Sequence, residues 1–177
     1  MSKMLMVIPE QCSGCRICEV VCAARRFGVN NPKKAAIRVV TTYPQPVMRM
    51  PVVCSQCKVP PCAQACPVGA LGWFDGVVKL DEEKCISCWK CVEVCPFGAI
   101  YAHDDCNLPI KCDMCGGDPE CVKKCPKGAL RLMPTVLLGE AKRVSNVLSY
   151  TQMKEIEFYE KGERKIIRYA EIGKEEL

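Results

Sequence analysis

Cysteine placement constrains this chain more than any other feature. Sixteen of the seventeen cysteines fall into four quartets. The first is CSGCRICEVVC, with Cys12, Cys15, Cys18 and Cys22. The second is CSQCKVPPCAQACP, with Cys54, Cys57, Cys62 and Cys66. The third is CISCWKCVEVCP, with Cys85, Cys88, Cys91 and Cys95. The fourth is CDMCGGDPECVKKCP, with Cys112, Cys115, Cys121 and Cys125. A disulfide framework needs an oxidising compartment and usually an even count. Here the count is odd, and the first quartet starts at residue 12, which leaves no room for a signal peptide. Structural zinc takes two separated cysteine pairs in a tetrahedron. Three thiols on one compact loop, with a fourth just beyond, do not follow that pattern.

The spacing C-x2-C-x2-C-x3-C-P is the bacterial signature for [4Fe–4S] binding. A cubane presents four irons at tetrahedral corners, and one short loop can cap three of them. The fourth cysteine, expected to start a helix, reaches the other cluster of a pair. The first and third quartets keep this spacing. The second and fourth widen one gap, to residues 58–61 and 116–120. A shared ending marks those two as cubane sites as well. Three quartets close on Cys-Pro-x-Gly-Ala and an aliphatic residue, at Pro67–Leu71, Pro96–Ile100 and Pro126–Leu130. Pro turns the chain away, Gly permits positive φ, and the aliphatic residue can start a short covering strand. The first quartet departs from this ending, since Ala23 follows Cys22.

Asp75-Gly76 between Trp73-Phe74 and Val77-Val78 predicts a hairpin. Residues 37–42 read as a strand. Residues 139–177 lack cysteine and balance eight basic against eight acidic residues. There the pattern predicts a helix over 140–153 and a hairpin from 155–159 and 164–169, joined through Lys161-Gly162. Residues 1–138 carry 17 Lys and Arg against 12 Asp and Glu. Four thiolate-bound clusters at about −2 each would turn the chain's +5 into about −3. The basic excess therefore compensates the clusters, and nucleic acid is not an implied partner. No stretch is long and apolar enough to span a bilayer.

Four quartets with widened second and fourth members resemble the four-cluster electron-transfer subunits of multi-subunit oxidoreductases. Residues 111–130, with CSGCRICEVVC at the front, look most like the small iron–sulfur subunits of tungsten enzymes of the aldehyde oxidoreductase family, which includes the tungsten-dependent benzoyl-CoA reductases. The resemblance covers residues 12–130 and implies nested pairing. One cluster takes Cys12, Cys15, Cys18 and Cys125. A second takes Cys112, Cys115, Cys121 and Cys22. A third takes Cys54, Cys57, Cys62 and Cys95, and a fourth takes Cys85, Cys88, Cys91 and Cys66. The implied fold is α+β, with two dicluster ferredoxin-like modules, one inserted in the other. The outer module is 1–50 with 107–138, the inserted module is 51–106, and 139–177 is a docking extension of helix and hairpin.

Cys106 is left over and reads as a half-buried thiol, not a ligand. His103 reads as a loop residue without a role, and Trp73 and Trp89 as cluster covers. No phosphate loop, nucleotide fingerprint or nucleophile–base pair is present, so the chain is not expected to be catalytic by itself. The expected function is relay of single electrons through four [4Fe–4S] clusters in the cytoplasm, in an anaerobic setting. One partner is a larger tungstopterin or molybdopterin subunit, and the other a soluble ferredoxin or further cluster subunit. The alternatives are a free-standing polyferredoxin and a redox- or iron-sensing regulator.

Overall fold

The computed structural model describes residues 3–43 and 48–134, and the backbone of two further strands at 155–160 and 163–168. The chain from Lys3 to Pro134 is one structural unit used four times. Each unit is a strand, a cysteine loop, a helix and a second strand. The first runs β1 (Lys3–Val7), α1 (Ile17–Phe27), β2 (Ile37–Thr41). The second runs β3 (Arg49–Val53), α2 (Pro61–Gln64), β4 (Leu71–Phe74). The third runs β5 (Val77–Leu80), α3 (Lys90–Glu93), β6 (Ile100–His103). The fourth runs β7 (Cys106–Lys111), α4 (Glu120–Lys123), β8 (Leu130–Pro134). This is the mixed helix and strand content expected of α+β.

Among the described residues all strands pair antiparallel. Three hairpins join successive units, β2 with β3, β4 with β5 and β6 with β7. Strand β1 pairs with β8, Leu5 opposite Leu132, and so joins the first unit to the last. The β2–β3 and β6–β7 hairpins lie where the sequence reading expects the module boundaries, near residues 50 and 107. The predicted Asp75-Gly76 turn closes β4–β5 with both central residues at positive φ, as a type I′ turn requires. The tail strands β9 (Glu155–Glu160) and β10 (Glu163–Arg168) pair antiparallel as the sequence pattern predicts. The helix expected over 140–153 lies outside the described residues.

The apolar residues collect in two cores. Leu5, Ala23, Ile37, Val39, Val53 and Leu130 form one, with Cys18 and Cys121 inside it. Leu71, Val78 and Ile100 form the other, with Cys62 and Cys91. The helices pair accordingly, α1 on α4 and α2 on α3.

Helix placement corrects one expectation. The helix starts at the third cysteine of each quartet, not at the fourth. Cys18, Cys62, Cys91 and Cys121 are each the second residue of their helix. Cys66, Cys95 and Cys125 follow the short helices, and only Cys22 is inside one. The third and fourth cysteines of every quartet are four apart, and the turn of helix that begins at the third carries the fourth back to the same side. The turn is thus under way at the third cysteine; the three short helices end before the fourth, and the Pro after it keeps the helix from resuming.

Glu19 on α1 is fully buried. Its Oε1 accepts the Val39 N–H at 2.7 Å, and Oε2 lies 3.5 Å from Arg38 Nη1. Helix α1 is thereby fixed to β2. Glu19→Ala would leave a buried strand N–H unpaired, and should cost about 1.5–3 kcal/mol, the range for a hydrogen bond to a charged group. Thermal melting of the holoprotein checks this. A melt unchanged from wild type would show that the contact contributes nothing.

Candidate metal centres

The four cysteine loops share one backbone device. The residue before the second cysteine is left-handed in all four, Gly14 at φ 75°, Gln56 at 48°, Ser87 at 54° and Met114 at 55°. Left-handed backbone is unfavourable for most side chains. Its recurrence at one register position in four different sequences means the loop curvature requires it. The CPxGA turns repeat as closely. Gly69, Gly98 and Gly128 have φ 61°, 58° and 63°, and each N–H donates to the carbonyl of its quartet's last cysteine at 3.2–3.3 Å. A side chain at Gly69 or Gly98 would meet no atom within 4 Å. Gly69→Ala should therefore cost only the left-handed penalty, about 1–2 kcal/mol. We expect a melt a few degrees lower with full iron content. Loss of iron would mean that Gly69 does more than turn the chain.

Backbone N–H groups reach the sulfurs. Ala70 donates to Cys66 Sγ at 3.2 Å, and Met114 to Cys112 Sγ at 3.4 Å. Cys22, which lacks the CPxGA ending, receives the Ala36 N–H at 3.3 Å. Ala36 thus does for the first quartet what Ala70 does for the second. The next residues, Ile37, Leu71, Ile100 and Leu130, all start strands and are all buried. The cue in sequence was Ala36-Ile37, an Ala-aliphatic pair delayed by the insertion after Cys22.

Three hollows are each lined by cysteines of two quartets. One of about 250 Å³ meets Cys22, Cys112, Cys115 and Cys121, together with Arg26 and Ile37. Another meets Cys54, Cys57, Cys62 and Cys95, beside Lys111. A third meets Cys12, Cys15, Cys18 and Cys125. For the remaining cysteines, Cys91 lies within electrostatic reach of Cys85 and Cys88, and Cys66 packs on the core that holds Cys91. Among the described residues, no three His, Cys, Asp or Glu converge as ligands of a single ion. The thiols stand around a volume instead, an arrangement that suits a cluster.

Burial sets the protonation of these thiols. It pushes Cys18 up to about 12, helped by the adjacent Glu19 charge, and Cys91 up to about 11. Cys112 is half-buried as a residue, yet its thiol faces the hollow and burial pushes it up to about 12. Cys22, Cys62 and Cys121 are raised for the same reason. Burial also opposes the Cys66 thiolate, but the N–H groups of Val68, Ala70, Leu71 and Gly69 prevail and lower it. Metal must therefore expel protons from most of these sites on binding.

Two further features emerge that sequence reasoning missed. Gln56 and Lys111 are buried polar residues at the meeting of the second and fourth loops. Cys106 opens β7 opposite His103 and is half-buried. His103 is not the loop residue expected but ends β6, paired with Cys106, and its Nδ1 accepts the Asp105 N–H at 3.1 Å. Exposed Trp73 lies on the second loop through Nε1–H to the Lys58 carbonyl, at 3.3 Å, and Trp89 is the left-handed cap of α3.

Residues 46–135 match the model of the 4Fe–4S dicluster domain. The chain belongs to that family. The chain thus has [4Fe–4S] clusters as its cofactor, and its cysteine loops fit them. It is 39% identical over 123 residues to the aliphatic sulfonate oxidoreductase polyferredoxin-like subunit of Pyrococcus furiosus, covering 68% of this chain and 70% of that one. It is 37% identical over 142 residues to the putative oxidoreductase UacF of Escherichia coli, covering 75% of this chain but only 21% of that longer protein. Among solved structures it is similar to the active site complex BamBC of benzoyl coenzyme A reductase, at 27% identity and a TM-score of 0.44, covering 83% of this chain and 89% of that one. No helix among the described residues is long and apolar enough to cross a membrane.

Proposed function

We propose that the chain holds four [4Fe–4S] clusters and relays single electrons to or from a catalytic oxidoreductase subunit. The ligand sets are Cys12, Cys15, Cys18 with Cys125, then Cys112, Cys115, Cys121 with Cys22. Next come Cys54, Cys57, Cys62 with Cys95, and last Cys85, Cys88, Cys91 with Cys66. One observation carries this reading. The same left-handed ligand loop occurs four times, and three hollows combine three cysteines of one loop with the fourth of another.

Bound clusters of this type accept and release one electron each. The chain's part is to hold them in order, exclude water and direct N–H groups at the sulfurs. Cys18 and Cys22 lie one turn apart on α1 and join the first set to the second. The Cys112 thiol lies within electrostatic reach of Cys54 in the third set, and Cys91 within reach of Cys62. The two exposed cysteines, Cys15 and Cys88, belong to the two outer sets. Electrons would enter and leave there, through ligands already close to the surface.

The partner we propose is a tungstopterin or molybdopterin subunit, in the cytoplasm. Support comes from the resemblance of residues 12–22 and 111–130 to tungsten-enzyme small subunits, and from the Pyrococcus relative, named as an oxidoreductase subunit. The two modules, one inserted in the other, and the docking role of residues 139–177 belong to the same proposal. The decisive experiment is anaerobic native purification with elemental analysis. About 16 iron per chain, with tungsten or molybdenum in a co-purifying larger subunit, is the expected result. Full iron without a second chain would make this a freely diffusing carrier. Zinc in place of iron would overturn the ligand assignment.

A further inference from the structure

Lys111 is a lysine almost without solvent contact, 2% exposed. Its ammonium donates to two backbone carbonyls, those of Val78 and Cys112, the latter at 3.0 Å. Gln56 completes a closed ring with the same two residues. Its Nε2 donates to the Cys112 carbonyl at 3.0 Å, and its Oε1 accepts the Val78 N–H at 2.9 Å. Gln56 belongs to the Cys54 loop, and Cys112 opens the neighbouring one. The ring therefore locks the ligand loops of the two middle sites together, and Lys111 lines the hollow of Cys54, Cys57, Cys62 and Cys95.

A buried ammonium is costly unless an anion compensates it. The acceptors seen here are neutral carbonyls. Thiolate-bound clusters on either side would supply the missing charge. The Lys111 charge favours the thiolate at Cys62 and at Cys112, one from each site. The benefit is reciprocal. In a row of four anionic clusters the outer two have one anionic neighbour each, and the middle two have two. Repulsion in a poorly screening interior makes the middle pair the hardest to reduce. An uphill centre would slow every electron crossing the chain.

We propose that Lys111 is an electrostatic positioning residue, not a ligand, whose fixed charge between the two middle clusters makes them easier to reduce and levels the path. This rests on the four-cluster reading above. The test is an EPR-monitored redox titration of the full-length holoprotein, with iron analysis on each sample. In Lys111→Met, which keeps length and loses charge, two of four clusters should become harder to reduce by at least tenfold in the one-electron equilibrium, about 59 mV. Lys111→Arg should stay near wild type. Lys111→Gln, uncharged but still able to donate to the carbonyls, should behave as Met does and guards against a folding defect. A Cys15→Ala, Cys88→Ala background, which removes the outer clusters, identifies the shifted pair as the middle one when Lys111→Met still shifts the remaining two against that same background. Four unshifted potentials at full iron in both neutral variants, or a shift in the outer pair, would overturn the role of Lys111 alone. Wild-type protein holding well under 16 iron would instead overturn the four-cluster reading beneath it.

Discussion

Cys121→Ala should lower the iron content from about 16 to about 12 per chain and reduce electron flow through the protein to background. Cys121 lies inside a core, near Cys18 and Leu130, and lines the hollow it shares with Cys22, Cys112 and Cys115. Loss of this set removes a link from the middle of the row, so electrons that enter at the Cys15 end have no route to the Cys88 end. Double variants make the test specific. If Cys22 and Cys121 serve one cluster, Cys22→Ala with Cys121→Ala still leaves about 12 iron. If Cys22 instead served Cys12, Cys15 and Cys18, as its sequence neighbours suggest, the double variant would fall to about 8. Cys106→Ala is the control and should keep full iron. Unchanged iron in Cys121→Ala would refute the assignment of that set.

Much of this architecture was legible in the sequence, because ligand spacing and turn chemistry are local. The four loops, the Asp75-Gly76 turn, β2 and the tail hairpin all follow from residues within a few positions of one another. The helix starts are not legible in this way, since the ligand spacing does not say at which cysteine the helical turn begins. Ala36 was missed because it donates to a sulfur 14 positions away, where its counterpart Ala70 is only four from Cys66. Gln56 and Lys111 were illegible for a different reason. Their ring closes through Val78, and the residues concerned are 22, 33 and 56 positions apart. Nothing in a one-dimensional pattern distinguishes a lysine that ends a strand in water from one enclosed between two cysteine loops.

Removal of iron by anaerobic chelation should unfold the cysteine-rich part of the chain, not merely bleach it. Two of the five residues in the second core are cysteines, and the first core is ringed by Cys12, Cys22, Cys112 and Cys125. These cores are organised around the ligand sites. An empty hollow of about 250 Å³ left dry would cost on the order of 6 kcal/mol at the usual cavity penalty. Net stabilities of domains are about 5–15 kcal/mol; three bound clusters can carry the loss of one site, but removal of all of them takes away their binding free energy as well. Cluster binding free energy is then folding free energy. The expected result is loss of far-UV signal and of a cooperative melt on chelation, with recovery on reconstitution with iron and sulfide. The pH dependence of any residual apo fold has a definite sign. Burial raises the Cys18 and Cys112 thiols from 9.0 to about 12 in the folded chain. Their contribution to stability is complete below pH 9 and is lost as pH climbs toward 12. Apo protein that melts cooperatively near the holoprotein's temperature would show that the polypeptide builds its core without the clusters.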